Sequence, residues 1–347
     1  MSRTCTRCST ALFLVFIGAI TGCSGKSMPG IVTRLPLAPS AFVTAVSIGR
    51  DGRVWFAFIR NGPGPGVGSF DQDANIDVTQ LDPVSYGYGI GDLAIDAHHG
   101  IWATALCFPA RPHCTSGYAR FGGDHGPLSR IEPLATSNPM PFGIAADGDG
   151  GVWIADRNDD AVVHVTADGR QRVIRSPEAG FKPYAAVPDG QGGAFFNGAE
   201  PGKILAVNRA GRLRWIVLPD RTMHASSFDH GDDGTIWVAD SPDDQIVAID
   251  PHGRAKRYAV PTANAGPTAM NVDRHGNAWS LEHDGQKLGR VKTDGTVSDA
   301  YLPLDVGYPD FLVIAPNDTL VVVGHRKGLF NATSWTIGRI VESSSGL

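Results

Sequence analysis

The sequence predicts an all-β protein, a seven-bladed β-propeller, because three columns of residues recur at a fixed step of 42. Trp153, Phe195, Trp237, Trp279 and Val321 form the first. Pro141, Pro183, Ala225, Pro267 and Pro309 form the second, and Gly169, Gly211, Gly253 and Gly295 the third. Repeats of 40 to 45 residues are the length of one four-stranded blade.

The chain opens on Arg3 and Arg7, an apolar run from Ala11 to Ile20, and small residues before Cys23. This is the pattern of a secretory signal over residues 1–22. Ile20-Thr21-Gly22-Cys23 resembles the lipobox of bacterial lipoproteins, which implies lipidation of Cys23 and a short tether over residues 23–30. The apolar run is about ten residues, half of what a membrane span needs. With Cys5 and Cys8 in the signal and Cys23 lipidated, Cys107 and Cys114 remain and are expected to pair. In an oxidising compartment that bridge is worth about 2–3 kcal/mol.

Within one repeat, turns at Asp232-Asp233-Gly234 and Pro251-His252-Gly253 separate strands at Thr235–Ala239, Gln245–Ile249 and Ala255–Val260, after a short strand ending at His230. Four antiparallel strands joined this way make a blade, labelled a to d from the channel outward. The strict register begins at Ala135 and gives five blades. Asp51-Gly52 with Trp55, and His99-Gly100 with Trp102, mark two looser ones before it. The seventh blade has strands near Leu312–Ala315, Leu320–Val323 and Thr336–Val341, and lacks a d strand. Ile31–Leu35 reads like the d strands of other blades, so the N-terminus is expected to complete the last blade and close a ring spanning residues 31–343, with a tail at 344–347.

Composition fits one large β core: 42% apolar residues, 43 glycines and 24 prolines. A net charge of −5 without a basic run argues against nucleic acid as partner. The aromatic column is read as packing between neighbouring sheets, each ring covering about 150–250 Å².

Strand direction puts the tight a–b and c–d turns on one face and the b–c and d–a loops on the other. The long b–c loops, 60–66, 107–117 and 325–334, belong to blades consecutive around the ring and are expected to wall one side of the channel mouth. Two columns open onto that mouth. The first, starting strand a, is Phe142, Tyr184, Ser226, Thr268 and Asp310. The second, ending strand b, is Asp156, Gly198, Asp240, Glu282 and Gly324. Asp156, Asp240 and Glu282 could hold a hard divalent cation, magnesium or calcium, or could be solvated strand ends. Phe142 and Tyr184 are a ligand platform or apolar packing.

The stretch PTAMNVDRHGNAWSLEHDGQKLGRVKTDG, residues 267–295, resembles the repeat of streptogramin lyases, the virginiamycin B lyase family. The resemblance covers blades three to seven well and the first two loosely. It implies a magnesium-dependent elimination that opens the ester of a cyclic depsipeptide. That chemistry uses a histidine base starting strand a, a glutamate two residues before it, a glutamate ending strand b, and a strand-a histidine in the preceding blade. Glu282 stands at the strand-b position, but the base position is Thr268, its companion is Gly266, and the preceding blade offers Ser226. Threonine cannot take a proton near neutral pH. His224 would reach the mouth only through a bulge in strand a, which the unbroken 42-residue step argues against. His283 is a spare imidazole beside Glu282, and Asp310 puts a carboxylate in the base column of blade seven.

The expected protein is therefore a monomeric, lipid-anchored, extracytoplasmic propeller, on the outer membrane of a two-membrane host. It binds a small molecule, peptide or envelope protein at the mouth, and membrane contact is through the lipid alone. The alternative is a metal-dependent enzyme, a carbon–oxygen lyase or lactone hydrolase, built on Asp156, Asp240 and Glu282.

Overall fold

A computed structural model describes residues 29–340, apart from 39, 61–64, 74, 81–87, 108–113, 124–127, 129, 304 and 328–332. The signal, Cys23, the tail and the centres of the three long b–c loops lie outside the described residues.

Among the described residues, twenty-eight strands make seven four-stranded antiparallel sheets. Blade one is β2–β5, within 41–80, and blade two β6–β9, within 88–133. Blade three is β10 (Pro141–Ala146), β11 (Val152–Asp156), β12 (Ala161–Val165) and β13 (Gln171–Arg175). Blade four is β14 (Pro183–Pro188), β15 (Ala194–Gly198), β16 (Lys203–Val207) and β17 (Leu213–Val217). Blade five is β18 (Ser227–His230), β19 (Ile236–Asp240), β20 (Gln245–Ile249) and β21 (Ala255–Ala259), within a residue of expectation except that strand a starts late. Blade six is β22 (Pro267–Val272), β23 (Ala278–Glu282), β24 (Lys287–Val291) and β25 (Val297–Tyr301).

Blade seven is β26 (Tyr308–Ile314), β27 (Leu320–Lys327) and β28 (Thr333–Ile340), completed by β1 (Gly30–Arg34). β1 runs antiparallel to β28 from Gly30 opposite Ile340 to Arg34 opposite Thr336, so the first strand is the outer strand of the last blade. Leu35 follows, 2% exposed, its N–H bonded to the Trp335 carbonyl. The ring is closed as the sequence predicts.

Among the described residues the core falls into seven clusters, one in each seam between blades. Trp153 and Ala155 pack on Phe181, Phe196 and Leu205 of the next blade, Trp279 packs on Leu312 and Val322, and Val321 packs across the closure on Phe56. Trp102, Trp153 and Trp279 are at most 2% exposed. The indole N–H groups find acceptors: Trp102 and Trp279 donate to the turn carboxylates of Asp96 and Asp273, and Trp153 to the Gly192 carbonyl. These same aspartates accept the N–H groups of their own a–b turns, so one residue fixes both turn and ring.

Strand a is bulged near the mouth in six blades, at Val43/Ala45, Ile90/Leu93, Pro141/Ile144, Pro183/Ala186, Thr268/Asn271 and Pro309/Phe311. An irregularity that recurs in phase leaves the 42-residue step intact. The step therefore gave no ground for excluding local irregularity near His224.

Candidate functional site

The mouth face is built where strand a begins and strand b ends. β14 delivers Tyr184, β10 Phe142, and the residue after β11 is Arg157. The two rings sit with centroids 4.7 Å apart, and the Arg157 guanidinium lies over both, 5.8 Å from Phe142 and 5.6 Å from Tyr184. Tyr184 is 45% exposed, so the pair presents a face rather than filling a core. Among the described residues no carboxylate forms an ion pair with Arg157.

Beside this platform is a cavity of about 380 Å³ lined by Arg157, Tyr184, Asn197, His224 and Ser226, within the range of small-ligand sites. Its wall is rigid. Asn197, 7% exposed, accepts from the Ala185 N–H at 2.7 Å and donates to the Ala225 carbonyl at 2.7 Å, clipping blade four to blade five. The expectation that His224 is kept from the mouth is corrected here. β18 starts late, at Ser227, and the Ser226 N–H closes a tight turn onto the His224 carbonyl at 2.8 Å, leaving the exposed imidazole on the cavity wall.

The three carboxylates of the second column do not behave as one set. Asp156, Asp240 and Glu282 are at most 3% exposed, each held in its own blade. Asp156 Oδ1 accepts from the Met140 N–H, and Asp240 Oδ2 from Gln245 Nε2. Burial pushes both groups up. Glu282 goes furthest, to about 7, raised by burial and by the Asp299 carboxylate. Among the described residues neither of its oxygens has a hydrogen-bond partner, because the Thr262 hydroxyl and the Lys287 ammonium nearby, both of which favour the charged form, are bonded to Asp299. Among the described residues, no three His, Cys, Asp or Glu side chains converge on a cation position. The donor set does not fit a magnesium or calcium ion held by Asp156, Asp240 and Glu282. Packing is the reason: side chains of strand b enter seams between blades, so equivalent carboxylates face separate seams rather than a common centre.

At the position that the resemblance assigns to the base, Thr268 Oγ1 reaches, among the described residues, only the carbonyl of Leu281 at 3.5 Å. On the far side of the mouth, Asp310 meets His325, Oδ2 to Nδ1 at 2.7 Å, and His283 stacks on Tyr308 with centroids 5.9 Å apart. Burial raises Asp310, and His325 pulls it back. Cys107 and Cys114 form the expected disulfide, with Cα atoms 5.8 Å apart.

Sequence reasoning missed Arg157, Asn197 and His325. Two of these were within reach: Arg157, Ala199, Ser241, His283 and His325 are a further column at the step of 42, one place beyond the end of strand b.

The sequence profile of the virginiamycin B lyase family matches residues 196–343. No curated protein matches the chain. Among solved structures, a catalytically inactive virginiamycin B lyase from Staphylococcus aureus with Quinupristin is 16% identical, with 90% of this chain and 100% of that one covered at a TM-score of 0.72. A streptogramin B lyase is 18% identical, covering 89% and 98% at 0.70. YCF48 bound to D1 peptide is 14% identical, covering 92% and 100% at 0.66. The chain is thus a seven-bladed β-propeller of streptogramin lyase-like fold that carries the virginiamycin B lyase family signature over residues 196–343.

Proposed function

We propose that this propeller is a binding protein of the cell envelope, tethered by lipid at Cys23, that holds an anionic peptide or peptide-like ligand at its channel mouth. The observation that carries the reading is the Arg157 guanidinium, which has no described carboxylate partner and lies over Phe142 and Tyr184 at the rim of the His224–Ser226 cavity. A guanidinium on an aromatic face takes a carboxylate in two parallel hydrogen bonds, while the exposed Tyr184 ring stacks on an apolar group beside it. His224 and Ser226 supply adaptable polar contacts. Two proteins of like fold hold an occupant, one crystallised with Quinupristin and one bound to D1 peptide. Family-type elimination is not supported, since Thr268 and Ser226 replace the two histidines that the resemblance implies.

The test is titration with short acetylated peptides ending in phenylalanine, as free acids and as amides, followed by calorimetry. The free acid is expected to bind, and Arg157→Ala to weaken it by about 10–100-fold, the cost of a lost charged hydrogen bond. Equal binding of acid and amide, or none of either, overturns the reading.

A further inference from the structure

Two features of blade seven meet at one point, a long strand b and the strand-a bulge that it shares with five other blades. Its strand b, β27, runs eight residues where those of blades three to six run five, which keeps His325 inside the sheet, opposite Tyr308 on one side and Trp335 on the other. Its strand a carries a bulge in which Asp310 is the extra residue, between the pairs Pro309 with Gly324 and Phe311 with Val323. Bulges re-aim side chains, and this one sets the Asp310 carboxylate 2.7 Å from Nδ1 of His325. Two glycines make the approach possible: a Cβ on Gly307 would lie 2.4 Å from the His325 carbonyl oxygen, and one on Gly324 would lie 2.6 Å from that of Tyr308.

We infer that Asp310 and His325 form a general-base pair at the mouth, acting on an ester or lactone whose flat group stacks on Tyr308. With Asp310 accepting the Nδ1 proton, Nε2 is the basic nitrogen, and among the described residues nothing hydrogen-bonds to it. The imidazole is 20% exposed, open enough to meet water yet gripped between Tyr308 at 5.8 Å and Trp335 at 5.3 Å. Tyr308 is 42% exposed and backed by the His283 ring, a platform beside the base. No serine, threonine or cysteine hydrogen-bonds to the imidazole among the described residues, so water is the nucleophile.

The step balances without a further reagent. Nε2 takes a proton from water as the water oxygen adds to the acyl carbon. The acyl C–O bond then breaks, and the departing oxygen receives the proton from Nε2, giving acid plus alcohol. This assignment uses none of the positions that the family resemblance implies, and it stands independently of ligand binding at Arg157. The charged and titratable groups facing the pair are His283, itself beside Asp284 at 3.1 Å, and Tyr308, while the neighbouring Arg326 turns its guanidinium to Asp305 at 3.4 Å.

The experiment is hydrolysis of p-nitrophenyl acetate and of dihydrocoumarin, an aromatic lactone, by the purified chain across pH 5–9. The expected result is turnover above buffer whose kcat/KM rises through one ionisation and levels off, as for a base that works unprotonated. His325→Gln should lower it by about 10²–10⁴-fold. Asp310→Asn should lower it less and move the rising limb to lower pH, because imidazolium loses its carboxylate. Where either variant fails to fold by circular dichroism, Tyr308→Ala serves: it should raise KM for dihydrocoumarin and leave the limb in place. No hydrolysis of either probe above buffer, an unchanged rate in folded His325→Gln, or an unchanged KM in Tyr308→Ala overturns the assignment.

Discussion

Glu282 is a carboxylic acid sealed in the seam between blades five and six, with Ser280 and Gly289 beside it and, among the described residues, no hydrogen bond to its carboxyl oxygens. An unfolded glutamate loses its proton near 4.5, and this one does so at about 7 in the folded chain. Between those values the folded state holds a proton that the unfolded state has released, so stability falls as pH rises and the loss is complete above about 7. At 1.36 kcal/mol per unit the loss is about 3 kcal/mol. Glu282→Gln removes the ionisation, so its stability relative to the parent should climb by that amount between pH 4.5 and 7.5. Urea midpoints measured across that range decide the matter, and parallel curves for the two proteins would refute it. Asp92 and Asp229, pushed by burial to about 7 and about 6, add to the parent's preference for mild acid in the same direction.

At this scale the sequence was partly legible. The column spacing put Tyr184, Ser226 and Asp310 on the mouth, but it could not say that β23 turns the Glu282 carboxylate into a seam. Period fixes which strand end a residue occupies, and the side-chain alternation within that strand decides whether it faces a neighbour or the channel.

Among the elements, β1 carries the most consequence for its size. Five residues complete a blade made 300 residues later, and Leu35 behind them is buried against the cluster that joins blade seven to blade one. Leu35→Ala should cost about 2–5 kcal/mol, read from urea unfolding. Beginning the chain at Pro36 should leave the outer edge of β28 unpaired and prone to pairing with another copy, visible as concentration-dependent association in sedimentation. A monomeric truncated ring of parent stability would mean that closure matters little. The closure was legible because Ile31–Leu35 has the alternation of an outer strand and the last repeat lacks one. The late start of β18 was not, since Ser226 and Ser227 read as strand as readily as turn, and it is this start that brings His224 to the cavity.

For the whole molecule, strand direction fixes which face a tether leaves. Gly30 pairs with Ile340, and Ile340 pairs with Leu320, which follows the tight a–b turn of blade seven. The chain therefore enters the ring on the face of tight turns, opposite the mouth that carries Arg157, Tyr184 and His325. A second cavity of about 500 Å³ opens on that entry face, lined by Pro29, Ile31, Asn317 and Arg339 among others. With Cys23 lipidated as proposed, the seven residues to Gly30 would reach about 25 Å at full extension. The ring would then sit with its turn face toward the bilayer and its mouth toward the aqueous space, where a diffusing peptide or ester has free access. Reconstituted in vesicles that hold spin-labelled lipid headgroups, a fluorophore at Asn317→Cys should be quenched strongly and one at Ser226→Cys weakly. Cys23→Ser should release the protein to the soluble fraction and abolish both effects. Equal quenching at the two positions would mean that the tether does not orient the ring, and stronger quenching at Ser226→Cys would turn the mouth to the membrane and favour a lipid-borne ligand over a soluble one.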